Sequence, residues 1–477
     1  MTICLDTLLN GLPNDVHVSA EDVRIAREKG GDNIIFVVLD DDPTGTQSVS
    51  NLPVLTHWDE ADFRWAFSTG MSAVYVMTNS RSLHPDEAKR VNEEVVFNAL
   101  AAADGANISF VSRSDSTLRG HFPLEPNTIA DSIERAGHKA VDGIIIVPAF
   151  GDAGRITVRT VHYAGSVQDG FVPVGESEYS RDNTFGYTSS SIPDWVEEKT
   201  GGEVPAGNVA RITLDTLRSS TEEAVKILEG THNRQCVSVD IVTEEDLRLL
   251  SLALIRAESA GKRFIYRVGP PFVRARIGQD ITPPLDEARI SQARRADGLA
   301  PHGLIMVGSH VDITTRQLNY LRSHADLVEL EIEAAKVIDD ATREAHIEDL
   351  VTTAVHSLGE KNVVIATSRT VIKGKDGEES LSISRKISSA VVEIVQKILE
   401  RRPPKFVIAK GGITSSDVAT KGLSIRHATV IGPMLPGIVS LWSGQDGPAQ
   451  GIPYIVFAGN VGDETSLAEV AEKLTRA

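Results

Sequence analysis

Short runs of apolar residues recur along the chain, and each run stops at a loop rich in polar residues or glycine. In the first half the runs cover residues 34–39, 73–77, 108–111, 143–147, 236–239 and 264–268. In the second half they cover residues 303–307, 363–367, 406–410 and 454–458. Segments with helical spacing follow these runs, a pattern typical of strands that alternate with helices. The pattern predicts an α/β protein of two domains, each built on a mainly parallel sheet flanked by helices.

The length supports this division, because 477 residues exceed one ordinary hydrophobic core. The boundaries that we predict are an N-terminal arm over 1–30, a first domain over 31–272, a linker over 273–302 and a second domain over 303–477. Ligands of open parallel sheets bind beyond the carboxyl ends of strands. We therefore expect an active site in a cleft between the two domains.

Composition narrows the choice of partners. The formal net charge is −18, which opposes broad contact with nucleic acid or with an anionic membrane. No apolar stretch approaches the roughly 20 residues of a membrane-spanning helix, and the N-terminus lacks the features of an export signal. Two cysteines cannot form a disulfide framework. We expect a cytoplasmic protein with small-molecule ligands, and a homo-oligomer remains open.

Three consecutive carboxylates, Asp40, Asp41 and Asp42, follow the first predicted strand and precede Pro43 and Thr44. Adjacent buried carboxylates repel one another and lose solvation unless a cation or a ligand hydroxyl compensates them. A turn with a helix N-cap would also favour these residue types. Since such a turn needs one aspartate and not three, we favour a functional role.

Arginines follow several predicted strands of the first half. The segment 112–121 contains Asp115 and Arg119, and Arg81 and Arg155 lie on neighbouring loops. A guanidinium group grips a carboxylate bidentately, and aspartate can bind sugar hydroxyls, so the set suits an acid sugar. The alternative is a loop of ordinary ion pairs. His121 and His162 are interpreted as hydrogen-bonded structural groups.

Glycine and hydroxyl residues follow the strands of the second half. The segment 410–417 opens a predicted helix, and Gly308-Ser309, 432–437 and 459–462 end other strands. Glycine lets backbone N–H groups approach phosphate oxygens, although any tight turn can use it. The Walker A pattern is absent. The set indicates a nucleotide site of another type.

Seven segments together resemble the motifs of the four-carbon acid sugar kinase family. In order they are DDPTG (41–45), SDSTLRG (114–120), PAFGDAGRIT (148–157), Gly308-Ser309, GGITS (411–415), GPMLPG (432–437) and GNVG (459–462). The resemblance implies an N-terminal domain that binds the acid sugar and a C-terminal domain that binds ATP. Family members include threonate, erythronate and 3-oxo-tetronate kinases. Ile413 departs from the family's GGETS motif, and His121, His310 and Val311 also differ from common family residues.

On this resemblance we expect an ATP-dependent kinase that phosphorylates a hydroxyl of a small acid sugar. Asp41 or Asp42 would orient and deprotonate that hydroxyl, and Mg²⁺ would enter with ATP. The acid-binding residues would be Arg81, Asp115, Arg119 and Arg155. The ATP-binding residues would be Gly308, Ser309, Gly411, Gly412, Ile413, Thr414, Gly437, Gly459 and Gly462.

Two alternatives remain. The residues Asp40 to Thr44 fit the DxDxT loop of haloacid-dehalogenase-like phosphatases, in which the first aspartate is a nucleophile. The departure at Ile413 suggests instead a non-catalytic nucleotide- or acid-binding effector.

Overall fold

The computed structural model describes residues 2–295, 297–369, 372, 375 and 377–477. The chain divides into two units. The first contains Met1–Val49 and His57–Ile281, and the second contains Ser50–Thr56 and Thr282–Ala477. A short segment of the N-terminal half therefore belongs to the second unit.

The strands are, in chain order, β1 (Ile35–Asp40), β2 (Leu52–Leu55), β3 (Ala73–Met77), β4 (Ile108–Arg113), β5 (Gly143–Val147), β6 (Arg155–Val158), β7 (Val161–Ser166), β8 (Gly170–Pro173), β9 (Ala210–Ile212), β10 (Gln235–Val239), β11 (Phe264–Val268), β12 (Leu304–Val307), β13 (Leu327–Ile332), β14 (Asn362–Thr367), β15 (Val407–Lys410), β16 (His427–Leu435), β17 (Ile438–Gly444) and β18 (Pro453–Phe457).

The helices are α1 (Leu5–Leu9), α2 (Ala20–Lys29), α3 (Glu60–Ser68), α4 (Pro85–Ala102), α5 (Leu124–Arg135), α6 (Ile192–Lys199), α7 (Leu214–Ser219), α8 (Thr221–Gly230), α9 (Glu244–Ser259), α10 (Pro271–Arg276), α11 (Glu287–Gln292), α12 (Asp312–His324), α13 (Ala334–Ile338), α14 (Arg343–Ser357), α15 (Gly377–Arg401), α16 (Gly412–Asp417) and α17 (Ser466–Arg476). Short 3-10 turns include Gly45–Ser48, Ser80–Ser82 and Glu178–Arg181.

The first unit contains a parallel sheet in the order β3-β1-β4-β11-β5-β10-β9. The strands β3, β5 and β11 are buried along their whole length, as expected when helices cover a parallel sheet. The strands β6, β7 and β8 form a separate antiparallel sheet in the same unit. All parallel strands of the main sheet end at one edge, which brings their following loops together.

The second unit contains a mixed sheet in the order β13-β14-β12-β15-β18-β17-β16-β2. The strands from β13 to β18 in this order are parallel, and β17, β16 and β2 continue the sheet in antiparallel pairs. Its core joins apolar residues of the central strands to α12 and α17, among them Ile305, Ile408, Leu318 and Val470. The α/β class with mostly parallel sheets is confirmed.

Ten predicted strands are present within two residues of their predicted bounds. The sequence reading missed β2, β6 to β9, β13, β16 and β17. One reading was wrong: GPMLPG (432–437) does not form a single turn, because β16 continues to Leu435 and only Pro436 and Gly437 join it to β17. In the described part of the chain, no helix has the length and apolar character needed to cross a membrane.

The N-terminal segment is attached to the first unit by a buried ion pair. Arg218 binds both carboxylate oxygens of Asp246 at 2.8 and 2.9 Å. The same guanidinium donates to the Pro13 carbonyl at 3.0 Å and lies 2.6 Å from a carboxylate oxygen of Asp15. The side chains of Arg218 and Asp246 are only 2% and 0% exposed. Arg218 therefore joins α7, α9 and the N-terminal segment.

We predict that Arg218→Met lowers the free energy of unfolding of the first unit by about 3–5 kcal/mol, because Asp246 would keep a buried charge without its cation. Urea titration followed by tryptophan fluorescence measures this change. The control is Lys226→Met, which removes an exposed partner of Glu223 and should change stability by less than about 0.5 kcal/mol. Equal effects of the two variants would contradict the assignment.

Candidate functional site

Asp40, the first of the three neighbouring carboxylates, is held by an arginine from the adjacent strand. Asp40 ends β1 and lies opposite Arg113, which ends β4. The Arg113 Nε donates to the Asp40 Oδ1 at 2.5 Å, and its Nη2 contacts the same oxygen. Burial raises the pKa of Asp40 to about 7, although Arg113 opposes the shift. Both side chains are buried, so this pair fixes the ends of two strands.

Asp40 is also the residue that the phosphatase hypothesis requires as nucleophile. A nucleophilic carboxylate needs an oxygen that is free to attack phosphorus. A Cβ placed on Gly45 would lie 2.1 Å from one Asp40 oxygen and 2.3 Å from the other. The Gly45 backbone therefore covers a carboxylate that Arg113 already holds, a geometry that does not favour a phosphoaspartate.

Asp41 is paired with Arg81, which lies in the 3-10 turn after β3. The Arg81 Nε and Nη2 donate to the two Asp41 carboxylate oxygens at 3.0 and 2.5 Å, a bidentate arrangement. The Asp41 side chain is only 2% exposed. Gly120 packs against it, since a Cβ on Gly120 would lie 3.1 Å from the Asp41 Oδ2. This geometry suits a residue that positions Arg81.

Asp42 is the most open of the three carboxylates, with a side chain that is 26% exposed. Its Oδ1 accepts a hydrogen bond from the Thr44 backbone N–H at 2.9 Å, and its Oδ2 lies 3.4 Å from the Arg81 Nη1. Burial alone would raise the pKa of Asp42, but Arg81, Arg113 and the hydrogen bonds from Thr44 together lower it. Asp42 is therefore a charged carboxylate that a ligand could reach.

Asp115 and Arg119 continue the alternation of charges beyond Arg81. The Arg81 Nη1 lies 3.9 Å from the Asp115 Oδ1, and the Arg119 Nε donates to the Asp115 Oδ2 at 2.8 Å. Burial opposes ionisation of Asp115, yet the two guanidinium groups hold its pKa well below the usual range. The structure therefore brings Asp41, Asp42, Arg81, Asp115 and Arg119 together at the carboxyl edge of the first sheet.

Arg155 joins this cluster through Tyr179. The Arg155 Nη2 donates to the Tyr179 hydroxyl at 2.9 Å. The guanidinium carbons of Arg119 and Arg155 lie 5.5 and 5.3 Å from the centroid of the Tyr179 ring, within the range of cation–π attraction. Among the described residues, no carboxylate pairs with Arg155, and its Nε is buried without a hydrogen-bond partner. Its charge is available to an anionic ligand.

Three residues of this cluster were not among the predicted site residues: Arg113, Arg267 and Tyr179. Arg267 lies on β11, and its Nη2 donates to the Arg119 carbonyl at 2.9 Å. Arg113 had a signal in the sequence, because it follows a predicted strand (108–111) within a loop that contains other predicted site residues. Arg267 and Tyr179 had no signal in the sequence, because one lies inside an apolar run and the other in an irregular segment.

The two histidines near these loops are bonded to backbone groups. The His121 Nε2 lies 3.1 Å from the carbonyl oxygens of Ser80 and Leu83. His162 contacts the Thr157 hydroxyl at 2.9 Å and the Ser116 carbonyl at 2.7 Å. Burial lowers the pKa of His162 to about 4. Hydrogen bonds of this kind are typical of histidines that support the fold.

In the second unit, the loops after β12, β15 and β18 meet. A Cβ on Gly308 would lie 2.0 Å from the Thr414 hydroxyl oxygen, and one on Gly459 would lie 2.5 Å from that of Ser309. Gly411, with a φ of +129°, approaches the Ser309 backbone. Since no larger residue fits without displacing these hydroxyls, the glycines permit a crowded cradle of backbone and hydroxyl groups.

Gly412 and Ile413 lie at the start of α16, beside this cradle. A Cβ on Gly412 would meet no atom of the part of the chain that the structure describes within 4 Å, and Ile413 is 66% exposed. Gly412 therefore faces open space, and Ile413 offers an apolar surface in place of the carboxylate of GGETS.

Gly437 and Gly462 are the remaining predicted nucleotide residues. Ser440 of β17 lies opposite Val456 of β18 in an antiparallel register, so the turn at Gly437 lies near the carboxyl end of β18. Gly462 has a φ of +83° and packs against Ser466, the first residue of α17. Both glycines thus lie at the same edge of the second sheet as the cradle.

No group of three or more His, Cys, Asp or Glu side chains among the described residues could hold a metal ion. The donors of the cradle are the hydroxyls of Ser309 and Thr414. Mg²⁺ accepts such oxygen ligands when nucleotide phosphates supply the others. The residues therefore fit a metal that enters with a nucleotide.

Comparison with known protein families identifies one domain in each half of the chain. The model of a sugar-binding N-terminal domain matches residues 36–276, and the model of a nucleotide-binding C-terminal domain matches residues 304–467. These matches define a two-domain protein with one domain for a sugar and one for a nucleotide. The chain belongs to the four-carbon acid sugar kinase family, which confirms the resemblance found in the sequence.

Three known proteins are similar to this chain in sequence or in structure. A 3-oxo-isoapionate kinase from Paraburkholderia graminis is 26% identical over 178 residues, which span 35% of this chain and only 37% of that kinase. A Salmonella typhimurium LT2 protein, provisionally described as a tRNA synthase, has a similar structure (TM-score 0.67, 17% identity, 91% of this chain and 98% of that one). Haemophilus influenzae protein HI1011 is similar too (TM-score 0.61, 16% identity, 91% and 99%). The two structures support the fold alone.

Glu125 lies behind the charged cluster, in the first turn of α5. The Ser80 hydroxyl donates to its Oε1 at 2.5 Å. Burial raises the pKa of Glu125 to about 7, and the charge of Asp41 adds to the shift. The folded protein therefore favours the protonated form of this carboxyl group.

We predict that Glu125→Gln gains stability relative to wild type as pH rises. Because the folded pKa exceeds the unfolded value of 4.5, the contribution of the wild-type carboxyl is complete below about pH 4.5 and is lost as pH rises through about 7. The difference in unfolding free energy should grow between about pH 5 and 8 by at most about 3 kcal/mol. Urea titrations across this range measure it. The exposed control Glu28→Gln should show no trend, and a flat difference for Glu125→Gln would contradict the prediction.

Proposed function

We propose that the protein is an ATP-dependent kinase that phosphorylates a hydroxyl of a small, four-carbon acid sugar, such as threonate, erythronate or an oxo-tetronate. The observation that carries this proposal is the line of contacts from Asp42 through Arg81, Asp115 and Arg119 to Arg155 in the sugar-binding domain. It offers an open carboxylate at one end and an unpaired guanidinium at the other. An acid sugar has the complementary groups, a hydroxyl and a carboxylate.

Asp42 would orient the attacking hydroxyl and accept its proton. Phosphoryl transfer depends mainly on positioning and charge stabilisation, with little covalent help from the protein. A carboxylate with a lowered pKa is therefore adequate, because it must first hold the hydroxyl in line with the phosphate. Asp41 would act through Arg81, which it binds by two hydrogen bonds.

ATP would bind in the cradle of Gly308, Ser309, Gly411, Thr414 and Gly459. Backbone N–H groups beside glycine can approach phosphate oxygens closely. When bound, Mg²⁺ would neutralise phosphate charge, with the hydroxyls of Ser309 and Thr414 as its nearest protein donors. The acid sugar would thus be bound by residues of the first domain and ATP by residues of the second.

A coupled assay of ADP release tests the activity. The panel contains threonate, erythronate, their 2-oxo and 3-oxo forms, and 3-oxo-isoapionate. ADP release that depends on one of these acids supports the proposal. ATP binding without ADP release across the panel would favour a non-catalytic effector, and phosphate release from phosphorylated acids without nucleotide would favour a phosphatase.

We predict that Asp42→Asn lowers kcat on the accepted acid by about 100- to 1,000-fold, because it removes the proton acceptor. The dissociation constant for ATP should stay unchanged. The control is Asp339→Asn, since Asp339 makes the same contact to a backbone N–H two residues ahead (Ala341, 3.0 Å). Steady-state kinetics and calorimetry measure both values. Full turnover in Asp42→Asn would reject the role of Asp42.

We predict that Gly412→Ala weakens ATP binding at least tenfold without lowering the melting temperature. The added methyl group meets no atom of the described residues within 4 Å, so we expect it to interfere with a ligand in that space. Gly230→Ala is the matched control, because its methyl group also meets open space and lies in the other domain. Equal ATP affinity in both variants would remove Gly412 from the nucleotide site.

A further inference from the structure

Arg369 follows β14 and reaches the turn that follows β12. Its Nη1 donates to the Ser309 carbonyl at 2.5 Å, and its Nη2 donates to the Thr315 hydroxyl at 2.6 Å. The preceding residue is anchored on the other side, since the Ser368 N–H donates to the Ile332 carbonyl at 3.0 Å. Because β12 and β14 are neighbouring parallel strands, their following loops lie at the same edge of the sheet. The loop after β14 thus joins the three loops that form the glycine cradle.

Ser309, whose carbonyl Arg369 holds, is also connected to the loop after β18. The Thr314 hydroxyl lies 3.1 Å from the Ser309 hydroxyl and 2.7 Å from the Gly459 carbonyl oxygen. One network of hydrogen bonds therefore runs from Arg369 through Ser309 to Gly459. Since Ser309 and Gly459 belong to the proposed ATP site, the guanidinium group of Arg369 lies beside that site.

The guanidinium group of Arg369 has no carboxylate partner among the described residues. It carries five N–H donors, and the two contacts above use one donor of Nη1 and one of Nη2. Burial and the charge of Arg322 lower the pKa of Arg369, and Arg322 is itself paired with Glu329 at 2.7 Å. Arginine nevertheless stays protonated in proteins. The half-buried Arg369 therefore keeps a charge and spare donors for an anion.

We propose that Arg369 is a phosphate-binding residue of the nucleotide site, which holds the Ser309 carbonyl with one part of its guanidinium group and binds the nucleotide phosphates with the remaining N–H donors. A planar guanidinium matches the geometry of phosphate oxygens better than an ammonium group does. Arg369 would add a positive charge to the backbone and hydroxyl groups of the cradle. The inference rests on nucleotide binding in the proposed function and is independent of which acid is phosphorylated.

Calorimetric titration of the full chain with ADP at fixed excess Mg²⁺ tests the inference. Arg369→Gln keeps an N–H donor for the Ser309 carbonyl and removes the charge. We expect this variant to raise the dissociation constant for ADP by about 10- to 100-fold, the loss expected for a hydrogen bond between charged groups. Arg369→Lys, which keeps the charge without the planar fork, should lose less affinity than Arg369→Gln.

The salt dependence of binding separates a phosphate contact from a purely structural role. Because salt screens the attraction between a cation and phosphates, raising KCl from about 0.05 to 0.5 M should weaken ADP binding to wild type and to Arg369→Lys more than to Arg369→Gln.

The matched control is Arg402→Gln. Arg402 is also half-buried, and its Nη1 donates to a backbone carbonyl, that of Val355, at 3.2 Å. It precedes β15 and so lies at the opposite edge of the sheet from the cradle. Its replacement should leave both the ADP affinity and the salt dependence at their wild-type values.

Melting temperatures show whether each variant folds, and Arg369→Ala serves as the uncharged variant if Arg369→Gln does not fold. A folded, uncharged variant that binds ADP as tightly as wild type would overturn the inference. Equal losses in Arg369→Gln and Arg369→Lys, with the salt dependence of wild type unchanged in both, would assign Arg369 a structural role only and would also overturn it. A complete lack of ADP binding by wild type would instead overturn the proposed function, and this inference with it.

Discussion

The end of β1 carries three consecutive carboxylates, and each must be compensated inside or beside a buried sheet. The cations come from different elements: Arg113 from the end of β4 holds Asp40, while Arg81 from the loop after β3 holds Asp41 and approaches Asp42. Because an unpaired buried carboxylate would be costly, this pairing fixes β1, β3 and β4 at their carboxyl ends. The geometry of the whole candidate sugar site depends on it.

The nucleotide-binding domain meets a different constraint, which is space. Its three central loops approach so closely that Gly308 and Gly459 lie almost in contact with the hydroxyls of Thr414 and Ser309. Two cations, Lys410 and Arg369, donate to backbone carbonyls of these loops, and the hydroxyls of Ser309 and Thr414 lie against the glycines. One domain is organised by ion pairs and the other by close backbone packing, as suits a sugar acid and a phosphate chain respectively.

The sequence predicted the central strands well, because buried parallel strands are continuous apolar runs with polar loops at their ends. It failed for β13 and β16, where burial alternates along the strand, and for β2, whose partner lies far away in sequence. The charged cluster could be predicted from aspartates and arginines at strand ends. Tyr179 could not, since its role follows from contacts with Arg119 and Arg155 that only the fold creates.

The distribution of unpaired charge separates structural ionic groups from those that can serve a ligand. Within the described residues, Asp40, Asp41 and Asp115 are each matched by a guanidinium group, and their pairing is complete without any ligand. Arg155 in the sugar-binding domain and Lys410 in the nucleotide-binding domain have no carboxylate partner. Burying a cation such as Lys410 costs free energy, and a nearby anion reduces that cost. Cations without an ion-pair partner among the described residues therefore occur in both domains, and in the sugar-binding domain they include the buried Arg267, which donates to the Arg119 carbonyl.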